Sequence, residues 1–356
     1  MSDFDINVEK IEFSKNEFSD TKLTLYIHGS DINNFVLTSL RKVCTDQVPV
    51  YAFGNNGINI LRNSSVFDKT ELRMTLCTLP LPNIKYDVKY IPYKYYDNTD
   101  EFPENNTKVE YYLKIKNTEF NTIRDVTTND LNISINDEHI DNKLIYDPKY
   151  PISLLHLRYN DEVELAMNAK LGVGEMHGIY NASHTWFYDL YQEEDEEALK
   201  LREMIEKKNK KSKDTKNKKN NYSGDDYANY ILIIESAGQL NEFEILKRGI
   251  ELIIIKLGNI KKDVNESQIS SVSTSTDIIL DFQNEDFTCI GQLNYFLQDD
   301  NDVTKSGASK PNYMEKRINL CFTVKEGKNF LDVFNRNIDK TIKFYETLLK
   351  KVIHEM

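Results

Sequence analysis

Two stretches carry apolar residues at every third or fourth position over many turns. In the first, Phe243, Leu246, Ile250, Ile253, Ile254 and Leu257 fall on one stripe; in the second, Leu331, Phe334, Ile338, Ile342, Tyr345, Leu349 and Val352 do. That spacing is the signature of a helix with one buried face. The second stretch predicts a helix of roughly 25 residues with a single seam, a form that packs on another helix. The run "IELIIIKLGNI" inside the first is interrupted by Glu251 and Lys256. It reads as a buried core helix and is too short to span a bilayer. Asn241 and Glu244 stand in the N-x-x-E relation of a capping box at its start. The final seam is expected to lie against the first part of the same chain, near Ile250 and Ile254.

The rest of the chain supplies strands and a shorter helix. "TKLTLYIHG" alternates, with Leu23, Leu25 and Ile27 on one face. "SDINNFVLTSLRKVCTDQVP" predicts a helix capped by Ser30 or Asp31, with Ile32, Phe35, Val36, Leu40 and Val43 as its stripe and Pro49 as its stop. From Tyr86 to about Tyr146 the composition shifts to Tyr, Asn, Asp and Thr, and "KVEYYLKIKNTEF" and "LNISIND" read as strands of a β-rich insertion. Alternation returns in "ISLLHLRYNDEVELAMNAKLGVG". Residues 192–221 run from acidic to basic and read as a solvated, partly helical insertion. "KDVNESQISSVSTST" is a linker by composition. After it come a strand ("DIILDF"), a helix around Thr288–Gln298, a Gly/Ser/Pro turn region, a strand ("RINLCFTV") and the final helix. The second half repeats the first in reduced form.

These readings give an α+β chain of two related units, each an antiparallel sheet with amphipathic helices. The boundaries are 1–262 for the larger unit, 263–276 for the linker and 277–356 for the smaller unit. Within the larger unit, 1–83 and 147–262 form the pairing part, 84–146 the β-rich insertion and 192–221 the low-complexity insertion. The formal net charge of −12 disfavours a large contact with nucleic-acid phosphates. Cys44, Cys77, Cys289 and Cys321 share no C-x2-C spacing and read as free thiols of a reducing compartment. The start, "MSDFDINVEK", lacks the basic and apolar regions of a signal peptide.

"GVGEMHGIYNAS", Gly172–Ser183, is the stretch that could hold chemistry. A phosphate loop needs a third glycine where His177 stands, or a Lys-Ser/Thr pair that is absent, and a helix after it where the sequence reads as extended. His177 with His184 and Glu175 makes a weak metal set without cysteine. Ser183, His184 and Asp189 are too close in sequence to converge as a triad. What remains is an exposed glycine-rich loop that lets a partner backbone approach. Arg41 and Lys42 are either a solvated helix end or a partner contact.

Five stretches, in order, resemble the α-like subunits of multisubunit DNA-directed RNA polymerases. "VLTSLRKVCTDQVPVYA" is similar to the first helix, L-x-N-x-L-R-R-x-x-L followed by proline. "LRNSSVFDKTELRMTLCTLPL" is similar to the segment ending H-R-L-G-L-I-P-L. "VTTNDL" matches V-x-S-x-D-L, and "KLGVGEMHGIYNAS" matches K-G-I-G-K-E-H-A-K-W-S-P. In the second half, "NEDFTCIGQLNYFLQDDNDV" resembles E-D-H-T-L-G-N-L-L-R-x-x-L with D-P-N-V, and Gly307 and Pro311 sit where that smaller subunit has G-Y-x-x-P-H-P. Thr75, Cys77 and Phe287 depart from the pattern, Gly291 is displaced by one position, and Lys42 replaces the second arginine. The insertion lacks the cysteines that hold a metal in many relatives, so no zinc, iron–sulfur cluster or other cofactor is expected.

The resemblance implies a larger and a smaller α-type unit fused in one chain, from a large DNA virus. It implies a non-catalytic assembly platform whose partners are the largest and second-largest polymerase subunits and small accessory subunits. Little or no DNA contact and no membrane are implied, and the setting is host cytoplasm and the virion. Arg41, Lys42, Gly172, Gly174, Glu175 and His177 are the expected partner contacts. Ile32, Phe35, Val36, Leu40, Ile250, Ile254, Leu331, Phe334, Ile338, Ile342 and Tyr345 are the expected packing between units. The alternatives are an adaptor protein outside transcription, or a small hydrolase using His177 or His184.

Overall fold

The computed structural model describes residues 4–15, 21–105, 107–192, 198–205, 228–267, 277–312 and 314–356. Its first sheet has four antiparallel strands in the order β1 (Asn7–Lys15), β2 (Thr21–Gly29), β12 (Ala228–Ser236), β11 (Ser183–Asp189). Leu23, Leu25 and Ile27 point from one face of β2 into the main core, fully buried. The other face carries Tyr26, Ile231 and Ile233. A helix, α3 (198–205), covers it with Leu201 and Ile205. Both faces are therefore apolar, which is why "LTLYI" and "YILII" read as nearly continuous runs. This also corrects one expectation: part of the 192–221 insertion is packed on one side. The lysine-rich remainder lies outside the described residues.

Helix α1 (Asn34–Lys42) begins at Asn33, whose side chain accepts from the Val36 N–H, and not at Ser30 or Asp31. Those two are occupied by Asp5: its carboxylate accepts from the Ser30 N–H at 3.1 Å, and its own N–H donates to Asp31. The helix then widens into a π-helical turn, Val43–Gln47, and ends at extended Val48. The residue before a proline is pushed out of helical geometry, so Pro49 acts as expected. The second helix of this unit, α4 (Glu242–Ser267), starts with the Phe243 N–H donating to Asn241. Glu244 pairs forward with Lys247 and Arg248. α4 runs five residues into the proposed linker and buries Val264 there. Residues 268–276 lie outside the described residues.

A second lobe has its own core. Strands β3 (Val50–Ala52), β10 (Glu162–Gly172), β5 (Val109–Lys116), β7 (Asn132–Ile135) and β8 (Glu138–Ile140) pair in that order, with β4 (Ile58–Asn63) also on β10. A ribbon of β6 (Arg124–Thr127) and β9 (Ser153–Leu157) and helix α2 (Lys69–Cys77) complete it. α2 has a full capping box between Asp68 and Glu71. Tyr51, Phe53, Leu72, Leu76, Leu165 and Val173 share this core with Tyr111 and Ile133. The lobe is thus wider than 84–146 and draws in chain on both sides.

The C-terminal unit is a sheet in the order β13 (Asp277–Gln283), β15 (Arg317–Val324), β14 (Val303–Ser309), all antiparallel. β14 replaces most of the expected turn region; Gly307 pairs with Cys321 inside it. Ile318, Leu320, Phe322 and Val324 alternate inward along β15. They meet α5 (Phe287–Gln298) and α6 (Phe330–Glu355). The inward residues of both units belong to one continuous apolar cluster. α4 and α6 lie antiparallel: Lys261 meets Asp339 at 2.6 Å, and Asn265 meets Asn335. At the other end the Lys10 N–H donates to Glu355, and Phe4 stacks edge-on against Phe344, ring centres 5.4 Å apart.

Candidate functional site

The residues with unusual chemistry gather where the two units meet. Three ion pairs cross that seam, that of Lys256 buried and those of Lys42 and Lys316 half-buried. Lys42, at the end of α1, pairs with Asp286, the N-cap of α5, whose other oxygen accepts from the Thr288 N–H at 2.8 Å. Lys256, in the middle of α4, meets Glu285 at 3.2 Å, with the two side chains 6% and 15% exposed. Lys316, just before β15, pairs with Glu175. Glu175 also accepts from Gln47 at 2.7 Å and from the Tyr96 hydroxyl at 3.2 Å. The larger unit supplies Lys42, Lys256 and Glu175; the smaller supplies Asp286, Glu285 and Lys316.

The electrostatics follow from burial and pairing. Burial would raise the Asp286 carboxyl, but the Lys42 ammonium and hydrogen bonds from Lys42 and Thr288 outweigh it and hold it at about 2. Burial opposes ionisation of Glu175 too, and Lys316 overcomes it, so that carboxyl is held below its ordinary value. Burial would lower the Lys256 ammonium, and the negative groups around it raise it instead. Glu285 differs: burial pushes its carboxyl above the ordinary value, and Lys256 only partly offsets that. Beside the pairs, the loop carrying Tyr90, Tyr93 and Tyr96 faces α4 and β13 across a groove of about 930 Å³. Lys316 lies 5.5 and 5.7 Å from the ring centres of Tyr93 and Tyr96.

This geometry places the expected site residues differently from one another. Arg41 and His177 are exposed. His177 accepts from the Ile179 N–H and so caps a short 3-10 turn. Lys42 and Glu175 are spent on the chain's own second unit. Gly172 is buried, with the Tyr180 ring 2.7 Å from where a Cβ would stand, and a Cβ on Gly174 would come 2.9 Å from the Asp46 Cα. Gly174 admits a backbone closely, and it is the chain's own, at the π-helical turn; Gly172 makes room for the Tyr180 ring. The loop is therefore packed inward at Gly172 and Gly174 and exposed at His177 and Gly178. Among the packing residues, Ile32, Val36, Leu40, Ile250, Phe334, Ile338 and Tyr345 are buried in the shared core, and Ile254, Leu331 and Ile342 pack at its edge. Phe35 lies over Gly291 of α5 but keeps 48% of its surface in water.

Sequence reasoning missed Lys256, Glu285, Asp286 and Lys316. A signal existed for the first: a lysine between Ile253 and Leu257 on an apolar stripe must find an acid or a path to water. Among the described residues no group of three or more His, Cys, Asp or Glu side chains could hold a metal ion. No described helix is long and apolar enough to cross a membrane. Cys44 and Cys289 are buried, Cys77 and Cys321 half-buried, and all four are free thiols.

Fold and seam define an α+β protein of antiparallel sheets and paired helices, held across a polar seam, and the chain is similar to subunits of DNA-directed RNA polymerase. One such relative is an Acanthamoeba polyphaga mimivirus protein provisionally named as a DNA-directed RNA polymerase subunit, R470. It is 23% identical over 361 residues, covering 92% of this chain and 90% of the relative. Another is the DNA-directed RNA polymerase subunit Rpo3 of Methanosphaera stadtmanae, 25% identical over 280 residues, covering 71% of this chain and 98% of the relative. No protein-family profile matches the chain.

Proposed function

We propose that this protein is a non-catalytic assembly platform of a viral DNA-directed RNA polymerase. A larger α-type unit, residues 1–262 with a helix extending to Ser267, and a smaller one, 277–356, are fused and pair within the chain. The two large catalytic subunits then assemble on the pair, in a reducing compartment such as host cytoplasm. The observation that carries this reading is the extent of the match. Nearly all of the archaeal subunit is covered by part of this chain, leaving more than a quarter of this chain outside it. A smaller unit that completes the same core accounts for that surplus. The similarity to the mimivirus protein runs over nearly the full length of both chains, as a fused arrangement requires.

Interface burial is the mechanism. The segment that resembles H-R-L-G-L-I-P-L folds into β4 and α2 and leaves Leu61, Val66 and Met74 59%, 63% and 67% exposed. Exposed apolar side chains carried on one segment offer area that a partner can cover. Arg41 and His177 remain available at the edge of the seam. The test is purification of the tagged protein from its native source with partners identified by mass. Two co-purifying chains, each several times its mass, are expected; a monodisperse protein alone would point to an adaptor outside transcription.

A further inference from the structure

The two helix-backed sheets follow one plan and differ by one strand. In the larger unit β2 leads to α1, and β11 and β12 lead to α4; in the smaller, β13 leads to α5, and β14 and β15 lead to α6. The sheet orders correspond, β2-β12-β11 against β13-β15-β14. β1 is the extra member. It pairs antiparallel with the outer edge of β2, and it is held from the other unit, where its Lys10 N–H donates to Glu355, the last residue of α6, at 3.2 Å. Among the described residues β13 pairs with β15 alone, so its outer edge carries no strand.

The side chains beside that edge register the difference. Leu23, Leu25 and Ile27 of β2, flanked by strands on both sides, are 0% exposed; Ile278, Leu280 and Phe282 of β13 keep 7%, 7% and 8%. The edge also opens on the groove of about 930 Å³, which every residue from Ile279 to Glu285 lines in succession. A strand seen on its face shows alternate residues, and one seen on its edge shows them all. The backbone N–H and C=O groups of β13 therefore line the groove, a template for one more strand. The opposite wall is the loop of Tyr90 and Tyr93 with the last turns of α4. Glu266, one residue before the end of α4, lines the groove, much as Glu355 at the end of α6 meets β1.

We propose that the outer edge of β13 takes up an extended segment of another polypeptide, which lies between β13 and α4 as β1 lies between β2 and α6. Main-chain hydrogen bonds supply the affinity and alternate side chains the selectivity. The segment is free of proline where it pairs. It carries apolar residues on the face that continues Leu280 and Phe282, and an apolar or β-branched neighbour for Ile279, which is 68% exposed. The nine residues between Ser267 and Asp277 equal β1 in length and leave none for a turn, so they do not supply it. Two copies of the chain joined edge to edge would bring both tyrosine-lined walls together, so the occupant is a different chain. The inference rests on the assembly-platform reading only for the existence of a partner.

The test compares the full-length chain made alone with the same tagged chain isolated with its partners from the native source. Backbone amides of residues 277–283 should exchange about tenfold or more slowly in the assembly than in the chain alone, while those of β15, paired on both sides already, should not change. With p-benzoylphenylalanine in place of Ile279, irradiation of the assembly should give adducts to one stretch of a partner polypeptide with apolar residues at alternate positions. The same photoreactive residue in place of Lys305, on β14, should not give that adduct. Partners retained while the amides of 277–283 exchange as in the chain alone would overturn this inference and leave the platform reading standing. Adducts confined to residues 206–227 or 268–276 of the same chain, or to a second copy, would overturn it too. Loss of every partner would overturn both.

Discussion

Lys256 of α4 meets Glu285, one residue before the N-cap of α5, at 3.2 Å, and neither side chain keeps more than 15% of its surface in water. Two ions this far from solvent are stable only together, since removing one leaves the other paying full desolvation. Lys256→Met should therefore cost about 3–5 kcal/mol. Lys256→Met combined with Glu285→Leu should recover most of it, because a matched apolar pair carries no stranded charge. Urea unfolding of the two variants and wild type checks this, and equal losses for the single and double variants would mean that the pair is not buried.

Asp286 gives the seam a pH dependence of definite sign. Its carboxyl is held at about 2 in the folded chain against an ordinary value of 3.8. Between those values the unfolded chain binds more protons, so stability rises with pH there. The contribution, about 2 kcal/mol for such a shift, is complete above pH 4 and is lost as pH falls toward 2. Glu175, lowered by Lys316, acts in the same direction from its ordinary 4.5 downward. Stability measured from pH 5 to pH 2 should fall, and Asp286→Asn should flatten part of that fall. A wild-type curve that is level across the window would contradict the assignment.

The α+β character and the two long helices were legible because they rest on periodicity: Phe334 and Ile338, or Leu23 and Leu25, are spaced as a buried face demands. The strand over Val303–Ser309 was not, because "VTKSGAS" has a glycine, two serines and a lysine; it exists through pairing with β15. Tertiary pairing overrides weak local preference in such edge strands. The helix cap was misread between neighbouring candidates, since Ser30, Asp31 and Asn33 can all accept from a backbone N–H and only Asp5 decides which are free. The glycine-rich loop was legible as a close approach, but the identity of the approaching backbone was not, because Asp46 and Gly174 are distant in sequence. The acids Glu285 and Asp286 stand in the stretch that resembles E-D-H-T, and nothing local in sequence shows that Lys256 and Lys42 lie opposite them.

Glu175 and His177 should now separate on substitution. Glu175 accepts from Lys316, Gln47 and Tyr96, so Glu175→Ala strands a half-buried ammonium and should cost about 2–4 kcal/mol. His177 is exposed and holds one turn N–H, so His177→Ala should cost under about 1 kcal/mol. Thermal melts of the single variants check the order. If His177→Ala is the more damaging, the loop is held by the histidine and not by the seam.

The final helix supplies the most severe test of pairing within one chain. Phe334 and Ile338 are fully buried, and both lie in the core that the two units share. One turn apart on α6, they point the same way. Changing both to aspartate places two carboxylates in an apolar core, at a cost of several kcal/mol each. That approaches the whole stability of a typical domain, about 5–15 kcal/mol. α6 should then leave α4 and expose the apolar stripe of Ile250 and Ile253, and the chain should aggregate. Ile353 on the same helix is 48% exposed, and Ile353→Asp should change stability by no more than about 0.5 kcal/mol. Light scattering at micromolar concentration distinguishes the outcomes. Aggregation of the Phe334/Ile338 variant with a monomeric Ile353 variant is expected. A monomeric double variant with an unchanged melt would mean that α6 is not held by the first unit, and a discrete dimer would mean that the units exchange between chains.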